Sequence, residues 1–248
     1  DDFSFSWTGF QWPWSRDYFA EIVDQINAGG GTVVGVDILL AEPDEGEGND
    51  EAFAVSLGET PSSVAVVQIV RSSGVGFETE SFVQPLTPYR QVLDGTGITS
   101  FIRDQDAIVR SVIAYDNYQD TTYYNWAFEI ARLYLNAEAP VLSGSALQFN
   151  DRSIPLSGRT LLVNFAGPAG TYATYSASDV HDGITLEQDP EAFRGKIVLI
   201  GATSVTLQDI YPAPFSGTVP TPGVEIVANA VDTIINGKYI TLAPPWMA

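Results

Sequence analysis

SRDYFAEIVDQINAGGGTVVGVDILL, residues 15–40, decides the fold class. Ser15 stands where a helix N-cap belongs, and Phe19, Ile22, Val23 and Ile26 recur on one helical face. Gly29-Gly30-Gly31 ends that helix, because glycine enters the positive-φ region at no steric cost. Thr32 to Leu40 follows as a near-continuous, β-branched-rich apolar run, the pattern of a strand covered on both faces. A helix followed at once by a buried strand is the repeating unit of an α/β layer.

The same rhythm recurs outward from this stretch. A short helix over Asp50 to Leu57 leads to a second buried strand, SVAVVQIV at Ser63 to Val70, then to a Gly/Ser-rich connection through Phe82. Pro88 opens a short helix ending near Gly95. Ile98 to Ile102 and Ile108 to Tyr115 flank Arg103-Asp104-Gln105-Asp106 as a hairpin connection. Tyr124 to Leu135 has the spacing of an amphipathic helix, and Leu147 to Leu156 reads as a hairpin turning at Asn150-Asp151. TLLVNF (Thr160 to Phe165) and KIVLIG (Lys196 to Gly201) resume the buried-strand pattern, the latter as a strand in the middle of a sheet. Ser178 to Gly183 and Pro190 to Phe193 are short helical candidates, and Gly223 to Asn236, stopped by Gly237, is the last long helix. The expected architecture is a single α/β domain over residues 1–248, with a mostly parallel central sheet flanked by helices and antiparallel hairpin additions.

Composition narrows function. Of the 248 residues, 31 are Asp or Glu against 11 Lys or Arg, a formal charge of −20 that disfavours nucleic acid and anionic lipid headgroups. With 45% hydrophobic residues the chain has enough to bury and is folded, not disordered. No Cys and one His leave no disulfide framework, thiol nucleophile or multi-histidine metal centre, and no cofactor is expected. No apolar run reaches the length of a membrane span. The start at Asp1 and the stop after Pro244-Pro245-Trp246-Met247-Ala248 fit an excised or processed piece of a longer chain. Trp246 suits either an interfacial belt or a packed terminus.

Ligands of open α/β sheets gather beyond the carboxyl ends of strands. Asp37 and Glu42 sit in and after the first strand, Asn164 with the Ala166-Gly167-Pro168 turn follows a later one, and Thr203, Ser204 and Asp209 follow Gly201, a set suited to a small polar or cationic ligand or to capping loops. Gly29-Gly30-Gly31 is no phosphate cradle, since it runs helix, glycines, strand. The acidic stretch EPDEGEGNDE (Glu42 to Glu51) offers Asp44, Glu45, Glu47, Asn49 and Asp50 to a hard cation, but its spacing matches no calcium loop and a solvated loop is the default. His181 lies near a helix end where a cation is favoured by the dipole, and no nucleophile elbow accompanies it. Arg110, inside an apolar strand, needs a carboxylate from Asp104, Asp106 or Asp37.

These pieces together resemble a known family. Arg16, GVDILLAEPDEGEGNDEAFAVSL from Gly35 and GITSFIRDQDAIVRSVIAY from Gly97 are similar to the N-terminal half of the second type of CHASE domain, the cyclase/histidine-kinase-associated sensory extracellular module. VNFAGPAGTYATYSASDV from Val163, FRGKIVLIGAT from Phe193, Asp209, Thr221 to Glu225 and Ala228-Asn229 follow in the family's order. Val227 departs from it, standing where many members place a His. The resemblance implies a sensor outside the cytoplasmic membrane, with one membrane helix before it and usually three after. A cytoplasmic nucleotide cyclase, diguanylate cyclase or protein kinase follows those helices. It implies a domain without catalysis of its own, attached to transmembrane helices, homodimeric in the full receptor, binding an unknown small ligand or ion and no nucleic acid. Asp37, Arg110, Thr203, Asp209, Glu225 and Asn229 are the candidate ligand-binding residues. The alternatives are a ligand-free dimerisation or interaction module and a secreted hydrolase working through two carboxylates.

Overall fold

The structure is a computed structural model that describes residues 1–9, 12–74 and 77–242; the expectation for Trp246 lies outside the described residues. The chain divides into two compact units, residues 1–96 with 173–209 and residues 97–172 with 210–248, so it crosses between them three times.

The first pass builds α1 (Asp2–Thr8), α2 (Arg16–Ala28), β1 (Val33–Val36), α3 (Asn49–Gly58), β2 (Ser63–Gly74), β3 (Phe77–Val83), α4 (Thr87–Arg90) and β4 (Gly95–Ile98). The helix α1 carries no apolar periodicity and was not anticipated; the Asp1 side chain caps it by accepting from Ser4 N. In α2, Phe19, Ile22, Val23 and Ile26 are buried as their spacing predicts. Of the three glycines after it, Gly30 alone takes positive φ, at 78°. Its neighbours serve space instead: a Cβ on Gly29 would meet Phe193 Cδ2 at 2.8 Å, and one on Gly31 would meet Ile26 Cγ2 at 2.6 Å. The strand expected over Thr32 to Leu40 stops at Val36, where Asp37 N makes its last ladder bond, to Ile200 O at 2.8 Å. The Gly/Ser-rich segment expected to be a connection instead forms the far half of β2 and β3, a hairpin paired from Gln68↔Val83 to Gly74↔Phe77. The far half of β2 is largely exposed, so its sequence carries no burial signal.

The second pass builds the other unit: β5 (Phe101–Arg103), β6 (Val109–Ile113), β7 (Tyr115–Tyr118), β8 (Thr121–Tyr124), α5 (Trp126–Leu135), β9 (Val141–Ser143), β10 (Ala146–Phe149), β11 (Arg152–Pro155) and β12 (Thr160–Leu162). The order β12-β6-β5 and the order β11-β10-β9 are each antiparallel, and β7 and β8 form a separate hairpin. Asn150 and Asp151 both take positive φ, 46° and 59°, as a two-residue hairpin turn of primed type requires. Asn125 caps α5 by accepting from Ala127 N.

Returning to the first unit, the chain adds α6 (Ala177–His181), α7 (Ile184–Gln188), β13 (Ile197–Ile200) and a 3-10 turn at Val205–Leu207. The helix expected at Pro190 to Phe193 is a turn, in which the Asp189 side chain accepts from Glu191 N; the helical turn falls earlier, in α7. The first unit's sheet runs β13-β1-β2-β3, with β4 also on β2. Parallel pairing joins β1 to β13 and to β2, while β2 and β3 are antiparallel, so the sheet is mixed. KIVLIG is thus at the end of that order and not its middle, and all four residues of β13 keep partial exposure, as an edge strand does. Phe19, Val23, Val34, Phe53, Leu57 and Tyr89 belong to this unit's core.

The final pass gives the second unit β14 (Ile210–Tyr211), β15 (Thr221–Pro222) and α8 (Gly223–Asn236), ended by Gly237 at φ 66°. Val224, Ile226, Val227, Ala230, Val231 and Ile234 are buried along α8, which packs on α5. The α/β mixture is as expected, and β1 pairs in parallel with both β13 and β2.

Candidate functional site

In the first unit, β1 lies between β13 and β2, and the chain leaves its carboxyl end toward β2 while β13 returns on the other side. That is a switch in strand order, where parallel strands leave a crevice for ligands. Asp37 is the first residue past β1 there. It keeps part of its surface in solvent, yet desolvation raises its carboxyl from the ordinary carboxylate range to about 7, with the negative charge of Asp209 adding to the shift. Near neutrality this carboxyl exists in both forms and can donate or accept. Thr203 lies on the segment leaving β13, beside Ser204. Ser204 is fully buried; its Oγ donates to Asp2 Oδ1, accepts from Thr206 N at 3.2 Å and starts the 3-10 turn that leads to Asp209. The structure therefore brings Asp37 and Asp209 together, as the sequence order allowed, and adds the Ser204–Asp2 bond, which no sequence signal announced.

In the second unit, Glu225 and Asn229 occupy one face of α8 with Thr233. The Glu225 carboxylate accepts from Gly170 N at 2.9 Å and Thr171 N at 3.1 Å. Asn229 Oδ1 accepts from Ala166 N at 2.8 Å and from Tyr172 OH at 3.4 Å, while its Nδ2 donates to Glu225 O. Thr233 Oγ1 accepts from Asn164 N at 3.0 Å. One helix face thus fastens the loop after β12 through that loop's own amides. Arg110, the remaining candidate, is not sunk in the strand: it is exposed, paired with Asp104 Oδ2 at 2.7 Å and with both oxygens of Asp106. The Arg110 hydrogen bonds hold the Asp106 carboxyl down at about 2.

The acidic stretch is less solvated than its composition implies. Asp44 accepts from Arg16 N, Gly46 N and Asn49 Nδ2, and those hydrogen bonds with the Arg16 charge lower its pKa against the opposing effect of desolvation. Asp50 accepts from Asp44 N at 2.9 Å and from the buried Tyr89 hydroxyl at 2.5 Å. Arg16, 8% exposed, lies 3.9 Å from Asp50, and its Nε and Nη1 have no hydrogen-bond partner among the described residues. Asp44, Asn49 and Asp50 thus tie the loop to the start of α2 and to α4, and among the described residues no group of three acidic, His or Cys side chains is placed to hold a metal ion. His181 ends α6, as expected from its position, with a carboxylate at each ring nitrogen.

The first unit thus groups Asp37 with Asp209 past the ends of β1 and β13, and within the second unit α8 fastens the loop after β12. The chain belongs to the CHASE2 domain family, whose model matches residues 1–248. CHASE2 is a cyclase/histidine-kinase-associated sensory domain, extracellular in signalling receptors and not itself catalytic. No curated protein and no solved structure matches the chain. No helix among the described residues is long and apolar enough to cross a membrane.

Proposed function

We propose that this chain is the extracytoplasmic input domain of a bacterial transmembrane receptor, and that it regulates an attached cytoplasmic nucleotide cyclase, diguanylate cyclase or protein kinase. Recognition falls to Asp37 and Asp209, with Thr203 at the rim, and the ligand is small and carries a cationic or hydrogen-bond-donating group. The observation that carries this reading is the Asp37 carboxyl, desolvated beside a second carboxylate at the end of β1. A cation placed there would return Asp37 to its ionised form and release a proton, so binding tightens as pH rises through 7. Arg110, Glu225 and Asn229 hold the scaffold. Attached membrane helices and a second copy in the full receptor are its partners, and a ligand acts by binding the two signalling states with different affinity.

The test is thermal unfolding of the chain against primary amines, amino acids and divalent cations at pH 6 and pH 8. A compound that raises Tm more at pH 8, and fails to do so with Asp37→Asn, supports the assignment. The absence of any stabilising compound in the set refutes it. A second reading, a ligand-free interaction module, draws on α1, where Phe3 and Trp7 stack with ring centroids 6.2 Å apart while 54% and 65% exposed. Self-association of the chain that Trp7→Ser abolishes, with no ligand response, would favour it.

A further inference from the structure

The only imidazole of the chain is set between two carboxylates from separate elements. His181 Nε2 lies 2.8 Å from Glu21 Oε2 on α2, and Nδ1 lies 2.7 Å from Asp182 Oδ1, in the turn after α6. The ring also stacks on Tyr18 of α2, centroids 4.1 Å apart and planes 13° from parallel. A neutral imidazole has one N–H, so it can satisfy only one of these acceptors and turns a lone pair on the other. Both bonds exist together only in the imidazolium form, which has two donors. We propose that His181 is a proton-operated clasp joining α6 to α2, closed with two charge-assisted bonds when the ring is protonated and reduced to one when it is neutral.

The helix α6 is suited to respond. It has five residues, too few to hold helical form without docking. Its amino end is fixed independently: Ser178 N donates to Ser4 Oγ at 3.1 Å and Ala177 N donates to Asp1 Oδ2 at 3.2 Å. The carboxyl end has the clasp. Around the ring, α2 supplies Glu21 and Tyr18, and the turn supplies Asp182. Burial, Asp182 and then Glu21 raise the Tyr18 phenol to about 12, so it stays neutral across this range. The other helices packed on α6 bring Asp1 and Asp2 from α1 and Glu187 from α7. Asp1 is occupied by the serines and Ala177 N, and Asp2 by Ser204.

With a single imidazole in the chain, ring-nitrogen NMR reads the clasp directly. At pH 5 both ring nitrogens should show imidazolium shifts. Glu21→Gln and Asp182→Asn, both at exposed carboxylates, should each shift the pH 5 signal of the ring nitrogen that loses its carboxylate partner. Amide exchange over 177–183, corrected for its intrinsic pH dependence, should rise between pH 5 and pH 8 in the wild type and stay flat in His181→Gln. Because Asp37 is untouched by that variant, His181→Gln separates the two groups. Unchanged ring-nitrogen signals in both carboxylate variants, or the same pH-dependent exchange in His181→Gln as in the wild type, overturns the proposal.

Discussion

Asp37 is a carboxyl that the fold holds at a cost in stability. Its pKa is raised in the folded state, so the native chain binds this proton more tightly than the unfolded chain does. Below about pH 4 both states hold the proton and the group costs nothing. Between that point and about 7, stability falls, and above 7 the whole penalty of a desolvated anion beside Asp209 remains. Asp37→Asn should therefore raise Tm at pH 8, by an amount corresponding to at most a few kcal/mol, roughly, and leave it unchanged at pH 4. Equal melting of the two proteins at pH 8 would show that the carboxyl is well solvated. Asp37 was legible in the sequence as a charged residue within a run of Val and Ile, though the strand was expected to continue past it to Leu40 and ends at Val36. The company it keeps was not: Asp209 lies 172 residues further along the chain, and only the order of strands brings it near. Arg110 illustrates the opposite case. Its need for a carboxylate was readable and Asp104 and Asp106 supply it, but the exposure of the trio makes it a surface clamp on the β5–β6 turn.

Among the elements, α8 was the easiest to read and the most informative to see. Its apolar face, its length and its stop at Gly237 all agree with the observed helix. Its polar face could be read only as a spacing, since the groups it serves are backbone amides 55 and 63 residues earlier. Removing one of these fasteners should therefore loosen the loop and not the helix. Asn229→Ala leaves the Ala166 amide without its acceptor and should cost about 1–3 kcal/mol in denaturant unfolding. Glu225→Ala should act locally, speeding amide exchange at Gly170 and Thr171 at least several-fold while the exchange of buried α8 amides is unchanged. Uniform acceleration over all of α8 would contradict the fastening role. The elements that escaped the sequence share a physical trait. The hairpin of β7 and β8 buries only Asp116 and the far part of β2 with β3 exposes most of its side chains, so neither the period-two apolar alternation nor a continuous apolar run is present to mark them. The turn at Asn150-Asp151 was found because conformation, not burial, dictates those residues.

At the scale of the whole molecule, net charge and chain path matter most. A formal charge of −20 on 248 residues makes the folded state repel itself, since compaction brings the anions closer than the open chain does. Raising sodium chloride from ~0.01 M to ~0.5 M should screen that repulsion and raise Tm, by roughly 2–4 °C for each kcal/mol relieved. A flat or falling Tm over that range would mean that local ion pairs such as Arg110 with Asp104 and Asp106 outweigh the global term. The path of the chain has a different consequence. Because each unit is completed by a segment that returns after an excursion into the other, no truncation from either terminus can remove one and spare its neighbour. A nonsense mutation after residue 172 forfeits β13, and with it the partner strand against which β1 is laid. A chain that stops there therefore lacks part of both units at once.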